Sequence, residues 1–471
     1  MHITLSWETL LQYIGNIISF IVALSILSGK KESRATLSWL LIVIFLPYIG
    51  AILYIFFGIP RLKKMVDVKL KSDVNLAIYK YYNELEEFNN SVRGHSITSV
   101  TGCKPQLCSN LELLTNAEEK YLKLREDISG AKHYIFFEYY VFRQDETGKF
   151  FINLLTEKAK EGVKIYFIYD GIGAMGLSLK NTLKPLEKAG GKTGVFLSLF
   201  SLKTVSKLNF RNHRKIVIID GKICYTGGIN IGDEYVGRTS KSGKWHDIHI
   251  KFSGDAVYSV AEIFAKDWYF VNNERLDNLI KEYEKERGGD TTIQVVSSGP
   301  DQKTPLIYNA LLTAISMAKE KIDIITPYLI PDQPLVELLK NLSMRGLKIR
   351  LILPGKSNHP LVAAAGKSYY EELMEAGVEI YETKNSMLHA KIVIIDGYWC
   401  TVGSTNMDTR SFRLNFELDI VVYSKSFSKK INILIENYLM LSTKKDYEHF
   451  AKRNYILRLF EGICRAISPV M

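Results

Sequence analysis

Two histidine–lysine pairs occupy the same position in two copies of one sequence tract. Lys-Ile-Val-Ile-Ile-Asp-Gly occurs as Lys215–Gly221 and again as Lys391–Gly397. His213 and His389 precede the two lysines by two residues. Two imidazoles can share phosphodiester chemistry, because one can hold phosphorus covalently while the other moves a proton to and from the exchanging oxygens. The duplication therefore predicts two similar half-structures that bring both histidines to one site.

Further side chains can bind the phosphate. Lys215 and Lys391 can neutralise its non-bridging oxygens, and for this reason we expect neither a metal nor any other cofactor. Small and amide-bearing residues follow both tracts at matching offsets, where they can approach or orient the same oxygens. These candidates are Gly228, Asn230, Ser404 and Asn406.

Two acidic residues are candidates for orienting the histidines. Each imidazole needs an acceptor for its second ring nitrogen. Asp247 lies 34 residues after His213, and Glu417 lies 28 residues after His389. We predict that each carboxylate orients the histidine of its own half.

Asp220 and Asp396 close the two tracts and join the histidines and lysines in the candidate catalytic set. Strand alternation, however, points them away from the face that carries the histidines. Each also precedes a glycine, and Asp-Gly is a strong signal for a hairpin turn. A structural role in the turn is the simpler interpretation for both aspartates.

The repeated His-x-Lys-x4-Asp pattern resembles the signature of the phospholipase D superfamily. Further segments resemble bacterial cardiolipin synthases within that superfamily. They are Asn212–Lys215, Ser298–Asp301, Thr326–Tyr328 and Arg410–Glu417. The resemblance implies an α/β fold of two similar halves, each a mixed sheet flanked by helices, related by a pseudo-two-fold axis around one shared site.

For function, the resemblance implies a membrane-bound phosphatidyltransferase. Such an enzyme makes cardiolipin and glycerol from two phosphatidylglycerol molecules through a phosphohistidine intermediate. We assign His213 as the nucleophile and His389 as the general acid and base, while the symmetry of the repeat leaves the reverse assignment open. Hydrolysis to phosphatidic acid uses the same residues and stays an alternative. Phosphatidylethanolamine as a co-substrate, the acyl preference and the oligomeric state are left open.

Charge and apolar segments indicate the partner. The 471 residues carry a net charge of +11, which favours nucleic acid or an anionic lipid surface. Two mostly apolar stretches, residues 10–27 and 37–59, favour the lipid, and a nucleic-acid phosphodiesterase is the weaker alternative. We predict a transmembrane hairpin within residues 1–64. The resemblance implies that the membrane is the bacterial inner membrane. More basic residues follow the second stretch than precede it, which places the catalytic part in the cytoplasm.

Strand and helix patterns alternate in the same order in two parts of the chain. The predicted strand, helix and strand are 134–140, 148–161 and 163–170 in the first half, and 322–326, 334–345 and 347–354 in the second. We predict a helical connector over 65–100, a first half over 101–287 and a second half over 288–471. The second half ends in an amphipathic helix that lies in a membrane surface or packs on the domain. Five scattered cysteines suit a reducing compartment, although a disulfide between the first two is an alternative.

Overall fold

The computed structural model describes residues 7–28, 33–54, 92–198, 209–238, 244–282, 288–384 and 386–468. Within these ranges, residues 7–54 belong to one compact unit, and residues 92–198 and 210–468 belong to another. Each unit is described by itself. Most of the predicted connector, up to residue 91, and the end of the second apolar stretch, residues 55–59, lie outside the described residues.

Three helices make up the described N-terminal unit: α1 (Trp7–Ser28), α2 (Ser33–Phe45) and α3 (Pro47–Leu53). The second predicted span is divided at Leu46 (φ −130°, ψ 71°), because Pro47 lacks an N–H and disfavours helical geometry in the residue before it. Ser19 Oγ donates to the Val43 carbonyl at 2.9 Å and ties α1 to α2. Among the described helices, none joins the length and the apolar content that crossing a bilayer demands, so the predicted transmembrane hairpin is not confirmed.

The first half of the larger unit follows a short helix, α4 (Val92–Thr101). Its strands are β1 (Pro105–Leu114), β2 (Tyr134–Tyr139), β3 (Lys164–Asp170), β4 (Lys192–Phe196), β5 (Arg211–Asn212), β6 (Lys215–Ile219), β7 (Ile223–Gly227), β8 (Lys244–His246) and β9 (His249–Ser253). Its helices are α5 (Ala117–Gly130), α6 (Glu146–Lys160), α7 (Met175–Leu179), α8 (Lys184–Lys188), α9 (Ala256–Asn272) and α10 (Asp277–Glu282). A 3₁₀ turn spans Asp233–Val236.

The second half repeats this pattern. Its strands are β10 (Thr291–Ser298), β11 (Lys321–Ile325), β12 (Leu329–Ile330), β13 (Lys348–Pro354), β14 (Glu379–Thr383), β15 (Ser386–Leu388), β16 (Ile392–Ile395), β17 (Trp399–Gly403), β18 (Met407–Asp408), β19 (Asn415–Tyr423) and β20 (Ser442–Lys444). Its helices are α11 (Leu306–Ser316), α12 (Gln333–Met344), α13 (Pro360–Lys367), α14 (Tyr370–Glu375), α15 (Thr409–Arg413), α16 (Lys425–Met440), α17 (Tyr447–Ala451) and α18 (Tyr455–Ile467).

One continuous sheet joins the two halves. Its strand order is β20-β14-β13-β11-β16-β17-β19-β10-β1-β9-β7-β6-β2-β3-β4. The order from β1 outwards, β1-β9-β7-β6-β2-β3-β4, matches the order from β10 outwards, β10-β19-β17-β16-β11-β13-β14. The predicted mixed α/β fold with two similar halves is therefore confirmed. The halves meet where β1 and β10 pair antiparallel, and neither strand is among those predicted from the sequence.

The two duplicated tracts form β6 and β16, which lie inside the sheet and are buried along their whole length. Helices on both faces of the sheet explain why these strands are apolar without alternation. In the first half, Val217 and Ile219 pack in the same core as Phe151 and Leu155 of α6. On the opposite face, Phe136 of β2 stacks on Phe264 of α9 with ring centroids 4.4 Å apart.

The predicted division of the chain at residue 101 needs correction. Helix α4 packs against α11 of the second half, and its Ile97 is fully buried in the second-half core. Arg93 Nη2 also donates to Asp396 Oδ2 at 2.8 Å. The described end of the connector is thus part of the second half in space. All five cysteines are free, so the alternative disulfide between Cys103 and Cys108 does not form.

Candidate active site

His213 follows β5, a two-residue strand that reaches across to the other half. Strand β5 pairs in parallel with β19, and Asn212 lies opposite Phe416. The His213 backbone N–H continues this pairing by donating to the Phe416 carbonyl at 2.9 Å. His213 therefore lies beside Glu417, and its Nδ1 donates to Glu417 Oε2 at 2.9 Å.

An equivalent strand pair between the halves places His389. It follows β15, which pairs in parallel with β8 of the first half, so that Leu388 lies opposite His246. The His389 backbone N–H donates to the His246 carbonyl at 2.7 Å. The next residue of the first half is Asp247, whose Oδ2 accepts from His389 Nδ1 at 2.7 Å.

The predicted pairing of each histidine with the carboxylate of its own half is wrong. His213 of the first half is oriented by Glu417 of the second half, and His389 of the second half is oriented by Asp247 of the first. The exchange follows from the parallel strand pairs that join the halves, since each pair ends one residue before a histidine and a carboxylate. Neither half can assemble its own histidine site without the other.

Both carboxylates are held from several sides. Glu417 Oε2 also accepts from Ser404 Oγ, and its Oε1 accepts from Asn415 Nδ2 at 3.1 Å. Asp247 Oδ1 accepts from the Ile248 backbone N–H at 2.8 Å. Burial alone would raise the pKa of both carboxyls. The charges of the neighbouring lysines and histidines outweigh burial and hold the pKa of Asp247 and of Glu417 below their ordinary values.

Gly228 and Ser404 serve these carboxylates. A Cβ atom at Gly228 would lie 2.1 Å from Asp247 Oδ1, so only glycine leaves room for that side chain. Ser404 Oγ donates to Glu417, and the Ser404 carbonyl lies 3.0 Å from His213 Nδ1. The structure thus places both residues behind the histidines as positioning groups.

The two lysines lie beside the histidines and share their environment. Lys215 Nζ donates to the His213 carbonyl at 2.6 Å, and Lys391 Nζ lies 2.8 Å from His389 Nδ1 and 3.3 Å from its Nε2. Burial, opposed by nearby carboxylates and reinforced by Lys391, lowers the pKa of Lys215 to about 7. Burial likewise lowers the pKa of Lys391 to about 8. The charge of Lys215 acts on His389 and that of Lys391 acts on His213, as expected of one shared site.

Both histidines are neutral in this arrangement. Burial lowers the pKa of His213, against the opposing charge of Glu417. Burial and the charge of Lys391 lower the pKa of His389 to about 3. A neutral imidazole that donates through Nδ1 carries a free electron pair on Nε2. Each Nε2 can therefore attack phosphorus or accept a proton.

Comparisons with known proteins show the family to which the chain belongs. A family model described as "Cardiolipin synthase, PLD-like domain" matches residues 124–268 and 311–439. A cardiolipin synthase of Clostridium perfringens (strain SM101 / Type A) is 35% identical over 456 residues, which cover 94% of this chain and 95% of the relative. The chain belongs to the bacterial cardiolipin synthases of the phospholipase D superfamily.

Other relatives extend the likeness along the whole chain. The major cardiolipin synthase ClsA of Bacillus subtilis (strain 168) is 33% identical, with 98% of each chain covered. A second family model, described as "Phospholipase_D-nuclease N-terminal", matches residues 17–58. The crystal structure of phosphatidylserine synthase from Haemophilus influenzae Rd KW20 superposes with a TM-score of 0.60 at 13% identity, covering 81% of this chain and 98% of that one, and shows the same fold. Membership in this family supports phospholipid phosphatidyltransferase activity.

The two asparagines of the cardiolipin synthase site differ in availability. Asn230 is engaged by its own half, since its Oδ1 accepts from the Val141 backbone N–H at 3.2 Å and its Nδ2 donates to Tyr235 at 3.1 Å. Asn406 is buried, and its Oδ1 has no hydrogen-bond partner within the described ranges. Of the two, Asn406 is the better candidate for a group that meets substrate.

Asp220 and Asp396 are not part of the site, which corrects their place in the catalytic set. Both have a φ of 53° and begin the turns that follow β6 and β16. Asp220 accepts from the backbone N–H groups of Lys132, His133 and Tyr134 at 2.7–2.9 Å, and Asp396 caps the corresponding segment of the second half. At roughly 3.3 Å per residue, the strand carries Asp220 about 20 Å from His213.

Asp220→Ala is expected to lower stability while leaving the chemistry intact. Removing a carboxylate that accepts three backbone N–H groups should cost about 2 kcal/mol of unfolding free energy. Asp220→Asn keeps an acceptor and tolerates the positive φ, so its loss should be smaller. Urea unfolding and kcat on the folded fraction would measure both effects. A kcat that falls as far as in a histidine variant would return Asp220 to the catalytic set.

Aromatic residues at the site were not in the predicted set. The ring of Tyr140 lies 4.9 Å from that of His213, and Lys215 Nζ lies 5.5 Å from the centre of the Tyr140 ring. Tyr328 and Trp245 lie 6.2 Å and 5.1 Å from the His389 ring. Tyr140 directly follows β2 and Tyr328 lies three residues after β11, and an aromatic residue at the end of each of these strands is the signal that could have identified them.

The low pKa values of the lysines predict the alkaline side of the pH profile. Phosphate binding needs both ammonium groups, and each is lost as pH rises through its pKa. The value of kcat/KM should therefore fall with an apparent pKa between about 7 and about 8, far below the 10.5 of an ordinary lysine. Arginine stays charged to above about pH 12, so Lys215→Arg combined with Lys391→Arg should remove this fall even at a reduced rate. An unchanged alkaline fall in the double variant would assign it to another group.

Proposed function

We propose that this protein is a membrane-bound phosphatidyltransferase that makes cardiolipin and glycerol from two molecules of phosphatidylglycerol. The observation that carries the proposal is the pair of buried histidines, each hydrogen-bonded to a carboxylate of the opposite half and set among two buried lysines. This arrangement offers a nucleophile, a proton-transfer group and positive charge around one phosphorus atom. It accounts for transfer without a step that needs a cofactor.

In the proposed reaction, Nε2 of His213 attacks the phosphorus of the donor lipid and the P–O bond to glycerol breaks. His389, protonated once substrate is bound, gives its proton to the departing glycerol oxygen. The terminal hydroxyl of the second phosphatidylglycerol then gives a proton back to His389 and attacks phosphorus. The P–N bond breaks, which releases cardiolipin and restores His213. Lys215 and Lys391 neutralise the oxygens on which negative charge develops.

A negatively charged substrate should also raise the low pKa of His389. That pKa is lowered by burial and by the charge of Lys391 in the free protein. A bound phosphodiester brings an opposite charge to the same place and favours the imidazolium. Substrate binding would then supply the acid that the departing glycerol needs.

Burial of the site favours lipid alcohol over water as the acceptor. His213 and His389 are only 7% and 6% exposed, and Lys215 is fully buried. An alcohol that arrives as part of a lipid displaces the remaining water from such a site. Hydrolysis to phosphatidic acid is therefore the less favoured reaction.

The N-terminal helices support action at a membrane. Trp7, Phe20 and Phe45 are 80%, 65% and 76% exposed, which an apolar environment would cover. We propose that residues 1–64 anchor the protein in the bacterial inner membrane as a hairpin, with the catalytic unit in the cytoplasm. Labelling of a cysteine introduced at Lys30, from one side of the membrane and then from the other, would test this topology.

Purified protein in phosphatidylglycerol vesicles would test the activity. We expect cardiolipin and glycerol in equal amounts by mass spectrometry, with little phosphatidic acid, and no turnover by His389→Ala. Phosphatidic acid and glycerol as the main products would instead indicate a hydrolase. Vesicles that also contain phosphatidylethanolamine would show whether it serves as a co-substrate.

A further inference from the structure

Arg211 belongs to the same face of the chain as the catalytic pair of the first half. It lies two residues before His213 and four before Lys215, so backbone alternation turns all three side chains to one side. The intervening side chains turn the other way, since Asn212 Nδ2 donates to Glu138 and Arg214 pairs with Asp267. No step proposed so far uses Arg211.

The guanidinium of Arg211 is buried with hydrogen-bond donors to spare. Arg211 is 3% exposed, and neither Nη1 nor Nη2 makes a hydrogen bond to any described residue. The contact of Nη1 with Asp170 Oδ1, at 3.6 Å, is too long for a hydrogen bond. Buried donors of this kind are costly unless a partner reaches them. The unpaired donors of Arg211 therefore indicate that this side chain binds a ligand, since they contribute no hydrogen bond to the fold.

Asp170 does not depend on Arg211 for its own hydrogen bonds. Its Oδ1 accepts from the backbone N–H groups of Ile172 and Gly173, both at 2.9 Å. Its Oδ2 accepts from the Asn212 N–H at 3.0 Å. Asp170 is thus satisfied by the main chain and holds Arg211 in place through charge alone.

The charge of a second arginine, Arg410 of α15 in the second half, acts on the first guanidinium. The charge of Arg410 adds to burial in lowering the pKa of Arg211, while Asp170 opposes both. Both arginines also act on the hydroxyl of Tyr140, whose ring packs against His213. The added positive charge favours an anion at the unpaired donors of Arg211.

This cationic place has no counterpart in the other half. The residue 176 positions after Arg211 is Met387, which is buried in an apolar cluster with Trp245. Asp170 is the last residue of β3, and the last residue of the matching strand β13 is Pro354. The site is therefore symmetric in its histidines and asymmetric in its charge, so one side of the reacting phosphorus can take a further anion.

We propose that Arg211 binds the phosphodiester of the accepting lipid while the hydroxyl of that lipid attacks the phosphohistidine. The assignment rests on the proposed function. The two phosphates of cardiolipin are joined by a single glycerol, so the second phosphate must bind next to the first. An acceptor without a phosphate gains nothing from this subsite, which makes the subsite a device for choosing lipid over glycerol or water.

The experiment compares two reactions of the same full-length enzyme. Exchange of labelled glycerol into phosphatidylglycerol uses the donor phosphate and a neutral acceptor, whereas cardiolipin formation needs the second phosphate. Arg211→Gln should lower cardiolipin formation about 10- to 100-fold, the value of a charge-assisted hydrogen bond, and should lower exchange far less. Arg211→Lys should fall between. Arg275→Gln, which removes an exposed arginine paired with Asp277, is the matched control.

The outcomes separate this subsite from the proposed function. Equal losses of exchange and cardiolipin formation in Arg211→Gln, or no loss of either, would overturn the subsite while leaving phosphatidyl transfer in place. A wild-type enzyme that performs neither reaction would refute the proposed function itself. A selective loss of cardiolipin formation, rescued in part by Arg211→Lys, is the result we expect.

The C-terminal amphipathic helix, α18, is packed with its polar side inwards. Glu461 and Cys464 are 2% and 1% exposed. Large apolar side chains of the same helix are between 45% and 76% exposed. They are Tyr455, Ile456, Leu457, Leu459, Phe460, Ile463 and Ile467. An amphipathic helix at a protein–water boundary buries its apolar face, so the reversed packing of α18 indicates an apolar medium outside it.

Ion pairs hold α18 in this orientation. Arg453 Nη1 donates to both carboxylate oxygens of Glu461 at 2.8 Å, and Arg465 Nη1 donates to Glu372 at 3.0 Å. The guanidinium of Arg465 also lies 3.9 Å from the centre of the Tyr369 ring. The outward apolar face is therefore a fixed feature of the fold.

The helix also lies on the side of the catalytic site. It packs against α13, and the residue that precedes α13 is His359. The His359 ring lies 5.7 Å from that of Tyr328, which in turn contacts the ring of His389. An apolar surface at this place adjoins the path by which lipid reaches the histidines.

The geometry points to a bilayer containing anionic lipid as the occupant of the outward face of α18. Cationic side chains border that face, where they can meet anionic headgroups: Lys452 is 78% exposed and Arg458 is 47% exposed. This contact needs no assumption about which reaction the site performs. It orients the catalytic unit so that the site opens towards its lipids.

Fluorescence quenching would test the contact in the full-length protein. A probe on Ile456→Cys should be quenched by brominated phosphatidylglycerol in vesicles. The matched control is Met344→Cys, since Met344 is 67% exposed and lies near the start of β13, at the end away from His359. Labelling of the protein with only its native cysteines gives the background. Equal quenching at both positions, or none at Ile456→Cys, would overturn the assignment.

Discussion

His213→Ala is expected to lower phosphatidyl transfer by about 10⁴-fold or more, the loss typical of removing a covalent nucleophile. Among the described histidines, only His213 and His389 have a carboxylate partner and a lysine in this arrangement. The histidine is 7% exposed, so circular dichroism must first show that the variant folds. Turnover with phosphatidylglycerol vesicles then gives the loss.

The assignment of roles needs a donor whose leaving group requires no acid. With a p-nitrophenyl ester of phosphatidic acid, His389→Ala should still release one nitrophenol per enzyme and then stop, because the adduct cannot be passed on. Mass spectrometry should place the phosphatidyl group on His213. His213→Ala should show no such burst. A burst from His213→Ala with the adduct on His389 would reverse the two roles, an assignment that the symmetry of the repeat also allows.

The strand–helix–strand units could be predicted from the sequence because each is formed by a short continuous segment and the pattern occurs twice. The predicted strand, helix and strand of each half correspond to β2, α6 and β3, and to β11, α12 and β13. Strand β1 was not predicted because it combines polar residues with an irregular register between Ser109 and Glu112, which removes the alternation that marks a strand. Because β1 and β10 join the halves, a prediction without these two strands could not show that both halves share one continuous sheet.

The candidate site was predictable in composition and not in connectivity. The repeat identifies both histidines and both lysines from residue type and offset, whereas Asp247 and Glu417 are downstream carboxylates at unequal distances, 34 and 28 residues after their histidines. Which carboxylate serves which histidine depends on β5, β8 and β15, strands of two or three residues that pair across the halves. Segments this short have no periodic pattern, and their register is fixed by the packing of the whole sheet. The same limit applies to Asn230, whose type suggested a ligand while its neighbours make it a support.

Because each carboxylate orients the histidine of the opposite half, removing the charge of Glu417 should slow adduct formation on His213 more than removing the charge of Asp247. Glu417→Gln should slow adduct formation about 10²- to 10⁴-fold, because neutral Gln no longer fixes the tautomer of His213 or stabilises its positive charge. In the His389→Ala background, the same change should slow the nitrophenol burst by a similar factor. Asp247→Asn should change that burst only a few-fold, since its partner histidine is already absent.

Pairing within each half predicts the opposite ranking, with Asp247→Asn as the severe change in the burst and Glu417→Gln as the mild one. Both substitutions conserve shape, and both carboxylates are buried beside lysines, so general damage to the site would slow the burst equally. The ranking therefore separates the exchanged arrangement from its alternative within one assay. A severe effect of Glu417→Gln alone would also explain why the two halves share one sheet, since each histidine becomes reactive only when the opposite half is folded against it.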